Sequence, residues 1–559
     1  MIYIKEGITS KLPGETSLYV SFEYRPEYVD IIKNNANPGY YDKKTKIWEV
    51  PCTCLAILLD NFCVYDDIDL ELLQDEKKKE FKTFELSNYR TKPFEYQRDG
   101  IQFGLNNEKF LLLDAPGLGK SLQMIYLAQE LKEKENIEHC LVICGINTLK
   151  NNWAREIKKH SNLDCKILGE RFNSKGNLKP NAVKDRFEDL KQNIKEFFVI
   201  TNIETLRNAD IVEEINKGRN KFDMIIVDEC HKAKNPTAAQ TKGLLKLKCA
   251  KHRIGLTGTV LTNSPLDAYV PLKFIDAERG TYTNFKYFYC NFCGTFNTIL
   301  TGYKNLEVLK EQIEKHSLRR TKDLLNLPEK TVINEYVDMN DNQLNFYENI
   351  KDGVVKQVDK VHMSTANLLS MVARLRQATA CPSILTTENI ESSKIDRTVD
   401  LIEQIINNGD KVVVYSTFKE TLSQLQEKIS NYKPLLCTGD VKDSIINENI
   451  NKFQEEDEYK VILCTHQKMG TGITLTSATY AIFIDTPWTS ADYSQCQDRI
   501  HRIGSNKPVF IYNLICKNTI DERVLEIVND KEALGDYIVD DKITSKGINS
   551  LRKYIEDLE

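Results

Sequence analysis

At 559 residues, the chain has room for three or four domains of roughly 150 residues each, and 41% apolar with 28% charged content is ordinary for a soluble protein. A net charge of −5 means that any nucleic-acid site must be a local basic surface rather than the field of the whole molecule. The 15 cysteines are odd in number and scattered, without disulfide-framework spacing or a secretory signal, and no apolar run approaches the ~20 residues of a membrane span. These features point to an intracellular, cytoplasmic protein with reduced thiols.

Residues 1–80 read as a small α+β module. Met1–Glu6 and Ser17–Phe22 have strand patterning, Glu27–Lys33 reads as a helix, and Gly39-Tyr40-Tyr41-Asp42 gives a turn. Lys46–Val50 is the next strand, stopped by Pro51, with Trp48 expected in the module's core, and Cys54–Leu59 is a second helix. The aromatic strand, helix, Gly-Tyr-Tyr-Asp turn and Trp-bearing strand resemble the HARP domain found beside annealing-helicase motors. That resemblance implies a module that senses DNA structure or holds a protein partner. The charged run Asp75–Glu80 reads as a solvated linker.

The stretch around which the rest is organised is Asp114-Ala115-Pro116-Gly117-Leu118-Gly119-Lys120-Ser121. The apolar run Lys109–Leu113 before it reads as a buried strand, and Leu122–Ala128 after it as a helix. Strand, glycine loop, Gly-Lys-Ser and helix is the context of a phosphate-binding loop, although Asp114 replaces the usual first glycine. In such a loop Gly117 and Gly119 let backbone N–H groups cradle phosphates, Lys120 reaches the β/γ-phosphates and Ser121 holds Mg²⁺. Upstream, Gln97 in Pro93–Gly100 is positioned to read an adenine edge from an exposed helix, since an amide offers a donor and an acceptor together.

Further buried strands follow at Cys140–Cys144 and Phe197–Asn202, alternating with helical patterns as in a doubly wound parallel sheet. The turn from Gly145 to Trp153 meets a helix N-terminus and can hold a phosphate. The strand Met224–Val227 then delivers Asp228 and Glu229 at its carboxyl end, followed by Cys230 and His231. There Asp228 can hold Mg²⁺ and Glu229 can orient a water attacking the γ-phosphate.

With a phosphate loop followed about a hundred residues later by Asp-Glu-Cys-His, the chain resembles a superfamily-two helicase motor of the Swi/Snf type. Cys230 stands where that family usually has Ala. Ile254–Thr259 resembles motif III, with Asn263 fitting the pattern and Val260 replacing a Pro. Ser317–Lys322, Leu327–Lys330, Leu375-Arg376-Gln377, Cys381-Pro382 and Ser393-Lys394 resemble the signature between two motor lobes and the start of the second. Strands at Lys411–Ser416, Tyr459–Thr465 and Ala481–Asp485 repeat the parallel-sheet grammar. Gly470–Leu475 resembles motif V, Gln495–Gly504 resembles motif VI with Ser505 in place of a Gln, and Thr519–Arg523 resembles the family's closing segment. Arg499 and Arg502 lie three apart and so share one face if helical, which suits charge stabilisation on a transferring phosphoryl. Cys290 and Cys293 read as ordinary thiols, because no second ligand pair lies at zinc spacing.

The fold class expected is α/β: two RecA-like parallel-sheet lobes with helical insertions, preceded by a small α+β domain. The expected layout is module 1–80, lobe one 81–275, family-specific insertion and linker 276–395, lobe two 396–530 and a helical tail 531–559. The resemblance implies ATP and Mg²⁺ as cofactors, with Lys120, Asp228, Glu229, Arg499 and Arg502 catalytic. Gln97, Gly117, Gly119, Lys120, Ser121, Asp228 and Gly472 would bind nucleotide. Thr148, Lys150, Asn152, Thr201, Thr471 and Trp488 would contact DNA, and His231, Thr257, Gly258, Thr259 and Gln495 would couple the two events. The implied partner is duplex or forked DNA, held by phosphate contacts with little sequence specificity. A duplex translocase that remodels or reanneals branched DNA is the reading favoured. A strand-separating helicase and a motor that strips a bound protein from DNA are its rivals. The compact chain favours a bacterial, archaeal or viral setting over a nucleosome remodeller.

Overall fold

A computed structural model describes residues 1–36, 39–72, 82–84, 89–145, 149–171, 182–258, 264–293, 299–325, 327–358, 365–466, 474–488, 490–502 and 504–534. The chain divides into two compact units, one from Met1–Ala115 and Gly119–Thr321, the other from Lys322 onward together with Pro116–Leu118.

The first unit holds two sheets. Strands β1 (Ile2–Ile8), β2 (Thr16–Phe22), β3 (Tyr40–Asp42), β4 (Ile47–Pro51) and β5 (Ile68–Glu71) form the N-terminal module in the order β3–β4–β2–β1–β5. Alternation in β1 buries Ile2 and Ile4 and exposes Tyr3 and Lys5, which is the pattern of a sheet covered on one face. Tyr28 and Ile32 of helix Pro26–Asn35, with Leu58 and Phe62 of helix Leu55–Phe62, complete that core. Trp48 sits at the core's margin, half-buried, with its ring 5.1 Å from that of Tyr41.

The larger sheet contains β6 (Lys109–Leu112), β7 (His139–Cys144), β8 (Cys165–Ile167), β9 (Phe198–Asn202), β10 (Phe222–Asp228) and β11 (His252–Leu256). A hairpin of β12 (Cys290–Cys293) and β13 (Ile299–Tyr303) forms a separate two-stranded sheet, and β14 (Ser317–Leu318) returns to the large one. The order is β14–β6–β11–β10–β7–β9–β8, with every pairing parallel. Helices connect parallel strands by crossing the faces, so both faces are covered and all six residues of β7 are buried.

The second unit repeats the design with β15 (Lys330–Val337), β16 (Val412–Ser416), β17 (Leu435–Cys437), β18 (Val461–Thr465), β19 (Tyr480–Phe483) and β20 (Val509–Cys516). Its all-parallel order is β15–β20–β19–β16–β18–β17. The protein is therefore α/β, with two parallel-sheet lobes and an additional α+β sheet at the N-terminus.

Two boundaries differ from the expected layout. Residues 276–395 are not one block between the lobes: β14 pairs with β6 (Ser317↔Leu111, Leu318↔Leu112), whereas β15 forms an edge of the second sheet, so the division falls at Thr321/Lys322. The N-terminal module, expected as a separate unit, packs on the first lobe. Gly14 N donates to Glu278 Oε2 (2.8 Å), Arg279 N donates to Gly14 O (3.0 Å), and Glu15 pairs with Lys315 (3.1 Å) and His316 (3.0 Å). The docking loop is shaped from inside by Glu49, which accepts from Thr9 Oγ1, Ser10 N and Oγ, Lys11 N and Ser17 Oγ at 2.5–3.0 Å. Burial alone would raise that carboxyl, but the hydrogen bonds hold it down at about 2. The last described helix is Ile520–Leu534, and the rest of the expected tail lies outside the described residues.

Candidate nucleotide site

Three neighbouring parallel strands, β6, β11 and β10, carry the predicted motifs just beyond their carboxyl ends, the edge where open α/β sheets bind ligands. The loop after β6 turns through Gly117 (φ +90°) and Gly119 (φ +75°), left-handed conformations that bring backbone N–H groups round before helix Lys120–Glu135 begins. A Cβ on Gly119 would stand 2.4 Å from Gln97 Nε2, so a larger residue there would also have to displace that amide. Lys120 Nζ donates to Asp114 O at 2.7 Å, which folds the side chain over its own loop, and half-buried Ser121 follows on the first helical turn.

Asp114 does more than replace a glycine. It is fully buried and receives Arg320 Nε on Oδ1 (2.9 Å), Arg320 Nη2 on Oδ2 (2.5 Å) and Gln123 Nε2 on Oδ2 (3.0 Å). Arg320 also donates to Gln123 Oε1 (2.7 Å) and to Tyr96 O, and lies over the Tyr96 ring. Gln97, expected to be exposed, is buried, and its Oε1 accepts from Phe94 N at 3.0 Å at the start of helix Glu95–Asn106. Only its amide nitrogen faces Gly119.

At the end of β10, Asp228 accepts from Trp153 Nε1 at 2.8 Å and from Glu229 N at 3.0 Å. Burial, then the neighbouring Glu229 charge, pushes the Asp228 carboxyl up to about 6. Glu229 itself is left-handed (φ 52°), which turns the chain sharply away from the strand. Gly145 closes this corner by donating to Asp228 O (2.8 Å), and a Cβ there would strike the carbonyls of both Asp228 and Glu229. His231 Nδ1 lies 2.9 Å from Thr257 Oγ1 and 3.2 Å from Glu229 Oε2, which ties the Asp-Glu-Cys-His turn to the segment after β11. Adjacent carboxylates at the end of a strand are a donor set that suits a divalent cation.

Several predicted residues are placed differently. Arg499 and Arg502 do not share a helix: the helix Ser490–Gln497 stops first, and both lie in the turns that follow. Ser505 organises that turn, donating to Ile500 O (2.5 Å), while Arg502 Nη1 donates to Thr474 Oγ1 (3.0 Å) and Leu475 N to Arg499 O (2.8 Å). Gln495 is half-buried on the preceding helix. Lys150 and Thr201, expected at the DNA surface, are buried, with Thr201 bonded to Thr205, whereas Asn152 is half-exposed. Trp488 packs 4.1 Å from the Arg376 guanidinium, which pairs with Asp485. Gly258 is described, whereas Thr148, Thr259, Thr471 and Gly472 lie outside the described residues.

In the second lobe, fragments that seemed separate in sequence meet. Lys394, fully buried, pairs with Asp521 (2.6 Å) and donates to Ile484 O (2.9 Å). The other pairings missed by sequence reading, Trp153 with Asp228 and Arg320 with Asp114, join residues 75 and 206 positions apart. The only sequence signal was that Trp153 and Arg320 sit in stretches already singled out.

A SNF2-related domain matches residues 96–384 and a helicase conserved C-terminal domain matches residues 393–504. The chain belongs to the SNF2-related family, and its N-terminal module lies before the matched region. Among relatives, an uncharacterized ATP-dependent helicase, MG018, of Mycoplasma genitalium is 29% identical over 78% of this chain and 41% of its own length. The putative ATP-dependent helicase/translocase YwqA of Bacillus subtilis is 26% identical over 77% and 46%. The DNA annealing helicase and endonuclease ZRANB3 of Bos taurus is 26% identical over 79% and 40%. The chain thus spans less than half the length of these relatives. The Sulfolobus solfataricus SWI2/SNF2 ATPase core in complex with dsDNA is 26% identical, covering 86% of this chain and 98% of its own, with a TM-score of 0.39. Among the described residues no helix is long and apolar enough to cross a membrane.

Proposed function

We propose that the protein is a DNA-dependent ATPase that translocates on double-stranded DNA and remodels or reanneals branched DNA. The observation that carries the ATPase reading is the alignment of the phosphate loop, the Asp-Glu-Cys-His turn and Thr257 beyond three adjacent parallel strands. Membership of the SNF2-related family supports the motor, and the name of ZRANB3, a DNA annealing helicase, supports the reannealing.

Gly117, Gly119 and Lys120 would hold the nucleotide's phosphates, and Ser121 with Asp228 would hold Mg²⁺. Bound ATP would supply the phosphoanhydride, and Mg²⁺ would supply positive charge to offset that of the phosphates. Glu229 orients the attacking water, and its strained backbone and contact with His231 fix where the carboxylate points. Arg499 and Arg502 balance the charge that develops on the transferring phosphoryl. His231 and Thr257 link the state of the carboxylate pair to the segment beyond β11. DNA is gripped by phosphate contacts, which makes binding steeply salt-dependent.

The test is ATP hydrolysis by the purified protein with duplex, single-stranded and forked DNA at one fixed salt concentration. Stimulation by duplex or fork is expected, followed by annealing of complementary strands. Stimulation by single strands alone would replace this reading with a strand-separating helicase. No stimulation would replace it with a motor that requires a protein partner.

A further inference from the structure

One segment of the first lobe has a composition unlike the rest. Residues 279–306 contain no Asp or Glu, in a chain with 81 of them among 559 residues. The same segment carries Arg279, Lys286 and Lys304 and is crowded with Tyr and Phe. Helix Tyr282–Tyr289 buries Phe285, Phe288 and Tyr289 in the lobe core. Among the described residues the β12–β13 hairpin forms a two-stranded sheet of its own, apart from both large sheets.

What it displays outward is a shelf. Tyr287 is 50% exposed and meets the Phe292 ring edge to face at 5.4 Å. Leu300, 46% exposed, stands directly across the ladder from Phe292. Lys286 Nζ lies 4.9 Å from the Phe292 ring centroid, and the charges of Lys286 and Lys304 both reach the Cys290 thiol at the hairpin's base. Among the described residues a Cβ at Gly302, paired with Asn291, would touch nothing within 4 Å. Aromatic faces flanked by cations, with no carboxylate in the segment, match the two requirements of unpaired nucleic-acid bases: stacking for the base and positive charge for its phosphate. Arg279, Lys286 and Lys304 are the segment's only charged residues, so its charge is wholly positive, the sign that attracts a phosphodiester backbone.

The geometry points to the β12–β13 hairpin, through Tyr287, Phe292 and Lys286, as a binding platform for unpaired DNA bases where a duplex opens into single strands. This rests on the proposed action on branched DNA and assigns the branch point to this hairpin.

The experiment compares the wild type with Tyr287→Ala, Phe292→Ala and their combination, after circular dichroism and unstimulated ATP hydrolysis establish that the variants are folded. The probes are a blunt duplex and the same duplex with unpaired arms, 2-aminopurine being the first unpaired base. The wild type should quench 2-aminopurine and prefer the fork. The double variant should lose the quenching and about tenfold in fork affinity, as loss of a stacked base predicts, with blunt-duplex affinity unchanged. Lys286→Gln should flatten the salt dependence on the fork alone. Unchanged fork affinity, an equal loss on blunt duplex, or a variant-dependent change in sedimentation that marks a contact between copies would each overturn the inference. Neither fluorescence nor binding uses hydrolysis, so absent DNA stimulation of the ATPase would sink the motor reading and leave the hairpin to be decided on its own.

Discussion

Arg320 forks onto Asp114, with Nε on one carboxylate oxygen at 2.9 Å and Nη2 on the other at 2.5 Å, across 206 residues of sequence. The aspartate begins the phosphate loop, and the arginine ends the segment that adds β14 to the sheet beside β6. The ion pair therefore fastens the start of the loop to the last piece of the first lobe. Gln123 binds both partners, so the first turns of the helix after the loop are held by the same group.

Because Asp114 is fully buried, removing either partner leaves the other charged and uncompensated. Asp114→Ala and Arg320→Ala should each destabilise the first lobe by about 3 kcal/mol. The double variant should cost little more than either single one, which chemical denaturation in a double-mutant cycle would measure. Additive losses would mean that the two residues act separately.

Trp153 donates its indole N–H to Asp228, and this bond opposes the burial that raises the carboxyl. Trp153→Phe keeps most of the ring and removes the donor. Asp228 should then be harder to ionise, and DNA-stimulated turnover should fall several-fold near neutral pH and recover in part at higher pH. A turnover–pH profile identical to the wild type would remove Trp153 from the site's electrostatics.

What could be read from the sequence follows physical lines. Parallel strands covered on both faces are continuous apolar runs, so Cys140–Cys144 and Phe197–Asn202 stood out. The phosphate loop and the Asp-Glu-Cys-His turn are local in sequence, and local chemistry is legible. Arg320 and Trp153 gain their roles only when sheet order brings distant segments together, which no spacing rule contains. Arg499 and Arg502 misled because a three-residue interval looks helical, whereas Ser505 bonds back to Ile500 and makes a turn. Gln97 misled because a polar side chain near the loop suggested exposure, and the structure uses its oxygen to cap its own helix.

Lys120 and Arg502 separate function from stability. Neither is fully buried, and each can be shortened without emptying a core. Lys120→Ala and Arg502→Ala should therefore change the unfolding free energy by no more than about 1 kcal/mol while abolishing ATP turnover. A folded variant that retains full DNA-stimulated hydrolysis would refute the assignment for that residue.

Glu278 makes the docking of the N-terminal module depend on pH. Its carboxyl is buried among Gly14 N (2.8 Å), Gly280 N (2.5 Å) and the nearby Lys273 and Gln312. Burial outweighs these donors and raises it from an ordinary 4.5 to about 7. Between those values the folded protein keeps a proton that the unfolded chain has released, so the folded state binds more protons and stability falls as pH rises. The contribution is fully present below about pH 4.5 and is lost as pH passes through 7, amounting to a few kcal/mol. Glu278→Gln cannot titrate and should remove this slope. Thermal melts from pH 5 to pH 8 should show the wild type losing stability relative to the variant across the window. Parallel melting curves would mean that Glu278 stays ionised in the fold, held by the two backbone N–H groups that meet it.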